Sequence, residues 1–445
     1  MTWRLARLGE LCEKITDGTH HSPPNGASGE FKYVTAKNIK PWGLDLTDIT
    51  YVDARTHREI YSRCDVRRND VLYVKDGATT GRLALNTLDE EFSLLSSVGV
   101  LRPGPTIKPR YLVYALQAPA VQRRMLGHMS GVAIRRLTIQ KLKESEIPVA
   151  PLEEQDAIVA EIEKQFSRLD EAVTNLQRVK ANLKRFKASV LKSAVEGRLV
   201  ESESGIARRE GRSYESGGAL LRKVLAERRK QWAGRGKWRE PEQPAEEPPI
   251  PEGWIWATVD QLAAVGTGAT PNRENAAYWT HGDVPWVTSA VVNDAYVDQP
   301  SEFVTQLALA ETNLTVYPAG TLLVAMYGEG KTRGKCTELR IPAATNQALA
   351  ALQVCESVRG YLRHFLELGY EEMRKVASGG VQPNLNLSLV RSIRVPLPPQ
   401  AEQARIVAEV DRRLSIVREV EVEVDANLKR AQALRQAILA KVFEQ

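Results

Sequence analysis

The sequence predicts an α+β chain: two mixed α/β globular domains, each followed by a long coiled-coil helix, in an internal repeat. Three observations carry that expectation. The stretch PVAPLEEQDAIVAEI at Pro148–Ile162 returns as PLPPQAEQARIVAEV at Pro396–Val410, 248 residues later. Beyond each copy, apolar residues recur at steps of three and four, the seam of a coiled coil. Ahead of each copy lie short strand-like runs punctuated by Gly and Pro.

In chain order, a globular segment (1–146) is followed by a helical one (147–200). A connector (201–250) then leads to a second globular segment (251–394) and a second helical one (395–445). The globular copies echo each other loosely. WRLARLGEL at Trp3 matches WIWATVDQL at Trp254, YVTAKNI at Tyr33 matches WVTSAVV at Trp286, and YLVYALQ at Tyr111 matches YLRHFLE at Tyr361. Their strand-like runs include DVLYV before KDGATTG and GTLLVAM before YGEGKTRG.

Each helical segment opens on prolines, where a helix can start but not continue. The first carries the columns Ile162, Leu169, Leu176, Leu183, Val190 and Val159, Phe166, Val173, Lys180, Lys187. The second carries Val410, Val417, Val424, Ala431, Ile438 and Val407, Leu414, Glu421, Leu428, Arg435. Helix–helix contact is therefore expected through Val159, Ile162, Phe166, Leu169, Val173, Leu176 and Leu183 of the first helix. From the second it is expected through Val407, Val410, Leu414, Val417, Val424, Leu428 and Ile438. In the connector, GGALLRKVLAERRKQW (Gly217–Trp232) reads as a basic amphipathic helix and PEQPAEEPPIP (Pro241–Pro251) as a stiff, extended linker.

At 445 residues the chain is long enough for two or three domains with real cores. No apolar run approaches the ~20 residues of a membrane span. The first residues lack the apolar stretch of a signal peptide. Cys12, Cys64, Cys336 and Cys355 show neither pairing nor metal-ligand spacing, so a reducing cytoplasm is the simplest compartment. The net charge of +6 favours a polyanionic partner, and its distribution strengthens the point. Pro119–Lys143 holds six Lys/Arg and no acid, and so does Arg178–Lys192.

Catalytic motifs fail one by one. GEGKTRGKC (Gly328–Cys336) resembles a phosphate loop, but Glu329 stands in the place of the first glycine and Cys336 in that of the Mg²⁺-reaching Ser/Thr. HSPPN (His21–Asn25) has Ser22 and Asn25 at the two diagnostic ends of an amino-methyltransferase box, and neither suits that role. The His20-His21 pair has no Cys/His or carboxylate cluster beside it, so no metal site is expected. GTGATP (Gly266–Pro271) lacks the third glycine of a dinucleotide turn.

The duplicated motif, VPLPPQAEQARIVAEVDRRLS (Val395–Ser415) with IPVAPLEEQDAIVAEIEKQFS (Ile147–Ser167), resembles the specificity subunit of Type I restriction–modification systems. PEGWIWATVDQL, GATP, YW, VPWVTS and TDGTHHSPP add to the likeness, which extends over the whole chain. Two positions depart from the family pattern: Ala150 replaces the first Pro of the pair, and Gln400 stands where Leu is frequent. The resemblance implies two target recognition domains, each reading one half of an asymmetric bipartite site in double-stranded DNA. It implies that the two helices pack antiparallel, hold the domains apart and dock two modification (adenine-N6 methyltransferase) subunits. Restriction (motor and nuclease) subunits complete such a complex. The chain itself is then non-catalytic and binds no cofactor; S-adenosylmethionine, ATP and Mg²⁺ belong to partner subunits, and no membrane is involved.

The duplication gives approximate two-fold symmetry within one polypeptide, matching the pseudo-two-fold of duplex DNA. The seam from Val407 to Ile438 is 32 residues, about 48 Å at ~1.5 Å per residue, or about 14 base pairs at ~3.4 Å each. Antiparallel packing would bring the polar Lys180 and Glu421 near one another. Contacts to DNA are expected from loops after strand-like runs. In the first copy these are Lys37, Lys40, Lys75, Arg82, Arg135 and Arg136. In the second they are Thr270, Lys331, Arg333 and Lys335, with Asn346 and Gln347 as readers of adenine edges. Two alternatives stand beside this reading: a specificity subunit of a related system cleaving on both sides of its site, and a coiled-coil protein scaffold without DNA binding.

Overall fold

The computed structural model describes residues 3–40, 43–127, 136–232, 238–241, 243–244, 249–327, 332–378 and 385–444. Two compact units form, Met1–Val179 with Glu423–Gln445, and Lys180–Val422. Each contains one globular repeat and parts of both long helices.

In the first unit an antiparallel sheet runs in the order Cys12–Asp17, Val98–Pro103, Val71–Val74, Leu83–Leu85. A second sheet pairs Phe31–Val34 with Thr50–Val52 (antiparallel) and with Ser93–Leu94 (parallel). The apolar run VLYV has a simple cause: Val71 and Tyr73 point into one core, Leu72 and Val74 into another, and all four are buried. Alternation vanishes because both faces of the strand are covered. A short ribbon of Arg4–Arg7 against Glu146–Val149 closes the repeat.

The second unit repeats the plan. Its main sheet runs Ala263–Thr267, Leu349–Val354, Leu322–Ala325, Cys336–Leu339, Tyr296–Val297. Val284–Val287 pairs antiparallel with Glu302–Val304 and parallel with Ala343–Thr345. Leu322 and Val324 face one core, Leu323 and Ala325 another. The closing ribbon is Ile255–Thr258 against Arg394–Leu397.

The two long helices, Leu152–Val195 and Gln400–Phe443, have 44 residues each. In the first unit Val159, Ile162 and Phe166 share a core with Ile438, Leu439 and Phe443, and Arg435 Nη2 donates to Asp170 Oδ1 at 2.6 Å. In the second unit Val190, Leu191 and Ala194 share a core with Ile406, Val410 and Leu414. The start of each helix thus meets the end of the other, the antiparallel arrangement. Val410, Val417, Val424, Ala431 and Ile438 are all buried, a seven-residue period in the structure itself. Leu169, Val173, Leu176 and Leu183 are half-buried, as are Val407 and Leu428.

The Pro-rich turn that opens each long helix is held by the glutamine of the repeated Glu-Gln pair. Gln155 Nε2 donates to the carbonyls of Ala150 (2.9 Å) and Thr106 (3.2 Å), and its Oε1 accepts from Lys108 N–H (2.8 Å). Gln403 Nε2 donates to Pro398 O at 2.8 Å. A tyrosine ties the same turn to the globular repeat: Tyr111 hydroxyl to Pro148 O (3.1 Å), and Tyr361 hydroxyl to Pro396 O (2.6 Å).

The connector is more than a spacer. Helix Glu203–Glu210 ends on Gly211 in the left-handed conformation (φ 65°). Helix Gly217–Lys230 sends Leu220, Leu221 and Val224 into the core of the second unit, beside Trp254 and Leu397. Gly217 is required there, because a Cβ would stand 2.3 Å from Leu397 O. Among the described residues no helix is long and apolar enough to cross a membrane.

Candidate functional site

Strand register gathers the loops at one end of each repeat. In the first, Asp17 pairs with Gly99, Val98 with Val74, and Tyr73 with Leu83. Loops 18–21, 75–82 and 95–97 therefore leave the same sheet end. Loop 35–38 joins them, since Leu95 N–H donates to Val34 O. Leu137 N–H donates to Lys75 O, and Asp76 bridges Arg136, which brings in the segment beginning at residue 136.

The second repeat builds the same end. Thr267 pairs with Ala350, Ala325 with Leu349, and Val324 with Cys336, so segments 268–271, 326–327, 332–335 and 346–348 lie at the same sheet end. Asn346 N–H donates to Val287 O and Leu385 N–H to Met326 O. The tight crossing under each loop end is marked by a glycine. A Cβ on Gly18 would lie 1.9 Å from Leu94 O, and one on Gly268 would lie 1.7 Å from Thr345 O.

The side chains on this common frame differ. In the first repeat Lys37, Arg82 and Arg136 are exposed. Lys40 is half-buried, its Nζ 4.0 Å from Asp45. Lys75 is a correction. It is 5% exposed, with Nζ 3.2 Å from Asp17 and 3.0 Å from Asp76, so its charge is held inside by two carboxylates. Asp17 also takes Arg63 Nη2 at 2.6 Å and lies 3.3 Å from His20 Nε2. Arg63, half-exposed and anchored to the carbonyls of Asp17 and Gly18, is a loop-end cation that sequence reasoning missed. His20 and His21 lie beside it, with His21 Nδ1 3.1 Å from Thr19 Oγ1.

In the second repeat Thr270 and Gln347 meet, the hydroxyl donating to Oε1 at 2.7 Å. Asn346 Oδ1 accepts from Ala348 N–H at 3.1 Å, which fixes its amide in the turn. Lys335 Nζ donates to Asn293 Oδ1 at 2.8 Å. Arg333 is half-buried, and its Nε finds no partner among the described residues. Arg135 and Lys331 lie outside the described residues.

The loop after Gly268 is stiffened by an aromatic wedge. Trp286 Nε1 donates to Ala269 O and Trp279 Nε1 to Asn272 O, each at 3.1 Å. The Arg273 guanidinium sits 3.8 Å from the Trp279 ring centre and is held at its other end by Glu302. The aromatic signal in YW and VPWV was legible, but not its pairing across the loop.

Chemically, these ends present fixed amides, hydroxyls and guanidinium groups, the donors and acceptors that bind phosphates and base edges. Burial pushes the Cys12 and Cys64 thiols up to about 12, far from the thiolate form. Among the described residues, no group of three or more His, Cys, Asp or Glu side chains is arranged to hold a metal ion.

Known proteins share this architecture. The family model for the Type I restriction modification DNA specificity domain matches residues 1–185 and again 251–421. The Type I restriction enzyme EcoKI specificity subunit of Escherichia coli (strain K12) is 23% identical over 421 residues, covering 92% of this chain and 81% of that protein. The StySPI specificity subunit of Salmonella potsdam is 21% identical over 420 residues, covering 92% and 81%. A chain from a solved structure concerned with complex assembly and conformational transition of the type I R-M system superposes with a TM-score of 0.65. It is 19% identical, with 99% of this chain and 97% of that chain covered, a likeness of fold. With both globular repeats, most of the first long helix and half of the second matched, the chain belongs to the Type I restriction–modification DNA specificity family.

Proposed function

We propose that this chain is the DNA-reading subunit of a Type I restriction–modification complex. Each globular repeat reads one half of a bipartite duplex target. The two long helices set the spacing of the halves and dock two methyltransferase subunits. The chain is non-catalytic, and S-adenosylmethionine, ATP and Mg²⁺ act on partner subunits, restriction subunits among them.

One observation carries this reading. The same loop end, over the same glycine crossing, is built twice from unlike side chains: Lys37, Arg63, Arg82 and Arg136 in the first repeat, the Thr270–Gln347 pair with Arg333 and Lys335 in the second. A shared frame with different readers suits an asymmetric site. Arg82 and Arg136 are placed for phosphates, and Gln347 with Thr270 for base edges. The duplicated Gln-held turns and helices offer two similar surfaces to two copies of one partner.

The test is a domain exchange. Residues 1–146 are replaced with the equivalent domain of a relative, and N6-methyladenine is mapped across the host genome. One half of the methylated site is expected to change while the other stays. A change in both halves, or in neither, overturns the assignment of one repeat to one half-site.

A further inference from the structure

We propose that His364 is a positioning residue: a doubly ion-paired imidazolium that clamps the second globular repeat onto the second long helix, at a junction whose counterpart in the first repeat is a tyrosine–glutamate hydrogen bond. His364 lies on the helix Glu356–Ser378 and is 6% exposed. Its Nδ1 is 3.3 Å from Glu367 Oε2 on the same helix, and its Nε2 is 3.2 Å from Asp411 Oδ1 on the long helix. A neutral imidazole donates from one nitrogen only, and would turn a lone pair toward one carboxylate. Both contacts are satisfied together only when the ring carries two protons.

The surroundings keep the carboxylates charged. Arg363 reaches Glu338 at 3.7 Å and Glu367 at 3.5 Å, and it donates to the Tyr296 hydroxyl. Lys187 of the first long helix acts on Glu367, and Arg418 of the second acts on Asp411. Burial alone would lower the basicity of His364. The hydrogen bonds His364 donates to Asp411 and Glu367 outweigh it and hold the group above its ordinary value.

The first repeat supplies an internal control. Tyr114 occupies the position equivalent to His364, and Glu163 that equivalent to Asp411. The Tyr114 hydroxyl donates to Glu163 Oε1 at 3.3 Å, with Arg110 at 2.5 Å from the same oxygen. Burial, with Glu163 beside it, pushes the phenol up to about 12, so this junction keeps its proton through the range in which His364 loses one.

The sign follows from linkage. A histidine raised by its partners contributes its full stabilisation below its unfolded value, about 6.5, and loses it as pH rises through the raised value. Alkaline pH therefore loosens the second junction and spares the first.

Hydrogen–deuterium exchange on the full chain at pH 6, 7.5 and 9, normalised for intrinsic rates, tests this without reference to DNA. A failure here is thereby distinct from a failure of the DNA-reading assignment. Protection in 356–367 and 404–414 is expected to fall with rising pH, approaching about tenfold per unit of elevation. Protection in 108–117 and 157–166 should hold. Equal loss at both junctions, or no loss up to pH 9, overturns the proposal. Asp411→Asn should move the midpoint to lower pH, and an unmoved midpoint also overturns it. His364→Tyr should abolish the pH dependence; should that variant fold poorly, Asp411→Asn decides alone.

Discussion

Gln155 and Gln403 show what a repeated residue can hide. The sequence repeats Glu-Gln in both copies, and in both the glutamine Nε2 donates to a carbonyl of its own Pro-rich turn. The glutamate does not: Glu154 is exposed, whereas Glu402 is fully buried and accepts from the Trp254 indole (3.0 Å) and Glu203 N–H (2.9 Å). That difference was illegible, because it depends on the connector folding back over the second repeat. Gln155→Ala leaves Lys108 N–H and two carbonyls without their partner, and is expected to cost about 3 kcal/mol in urea unfolding. Gln403→Ala should cost nearer 1–2 kcal/mol, since its Oε1 already lacks a partner. Cations at the loop end separate in the same way. Arg82→Ala or Arg136→Ala should leave folding intact and lower the salt dependence of duplex binding by about one unit of slope, if each meets one phosphate. Lys75→Ala should instead destabilise the fold by about 3–5 kcal/mol, because it leaves Asp17 and Asp76 short of a buried cation. From sequence Lys75 and Arg82 look alike, the one opening KDGATTG and the other following it. Only the burial of the one and the exposure of the other tells anchor from reader.

At the scale of elements, what was legible followed from periodicity. The seven-residue column through Val410 and Ile438 is a property of one helix, so pattern alone reveals it. The doubly covered strands were visible as apolar runs, but which loops share an end was not, since that depends on register between distant segments. The connector was the least legible. Its sequence reads as a basic amphipathic helix without saying what its apolar face meets, and Leu220, Leu221 and Val224 on that face complete the core of the second unit. Leu220→Ala and Val224→Ala should therefore each destabilise the second unit, Leu220→Ala by about 2–5 kcal/mol and Val224→Ala by somewhat less. Limited proteolysis should cut those variants within 251–394 before 1–127. A connector that acted only as a tether would leave the cleavage order unchanged.

At the scale of the whole molecule, the proposed ruler makes the sharpest demand on the helices. Their antiparallel seam has a seven-residue period, so seven residues inserted into the middle of each helix keep Val410, Val417, Val424 and their neighbours in phase. Each helix then lengthens by about 10 Å at ~1.5 Å per residue, equivalent to about three base pairs at ~3.4 Å. The methylated site in cells carrying this variant should keep both half-sites and gain about three base pairs between them. Rotation opposes this gain. Three pairs turn duplex DNA by roughly 100° at ~10.5 pairs per turn, while a left-handed seam of pitch ~150 Å turns only about 25° over 10 Å. The second repeat would then face the wrong side of the groove unless the DNA twists or the junctions yield. An insertion of three heptads in each helix adds about 32 Å, or about nine pairs, which comes within roughly 50° of a full turn. This longer variant is expected to methylate its lengthened site better than the one-heptad variant does. A spacer that stays at its original length in both variants, with full methylation, would show that something other than the helices positions the two halves.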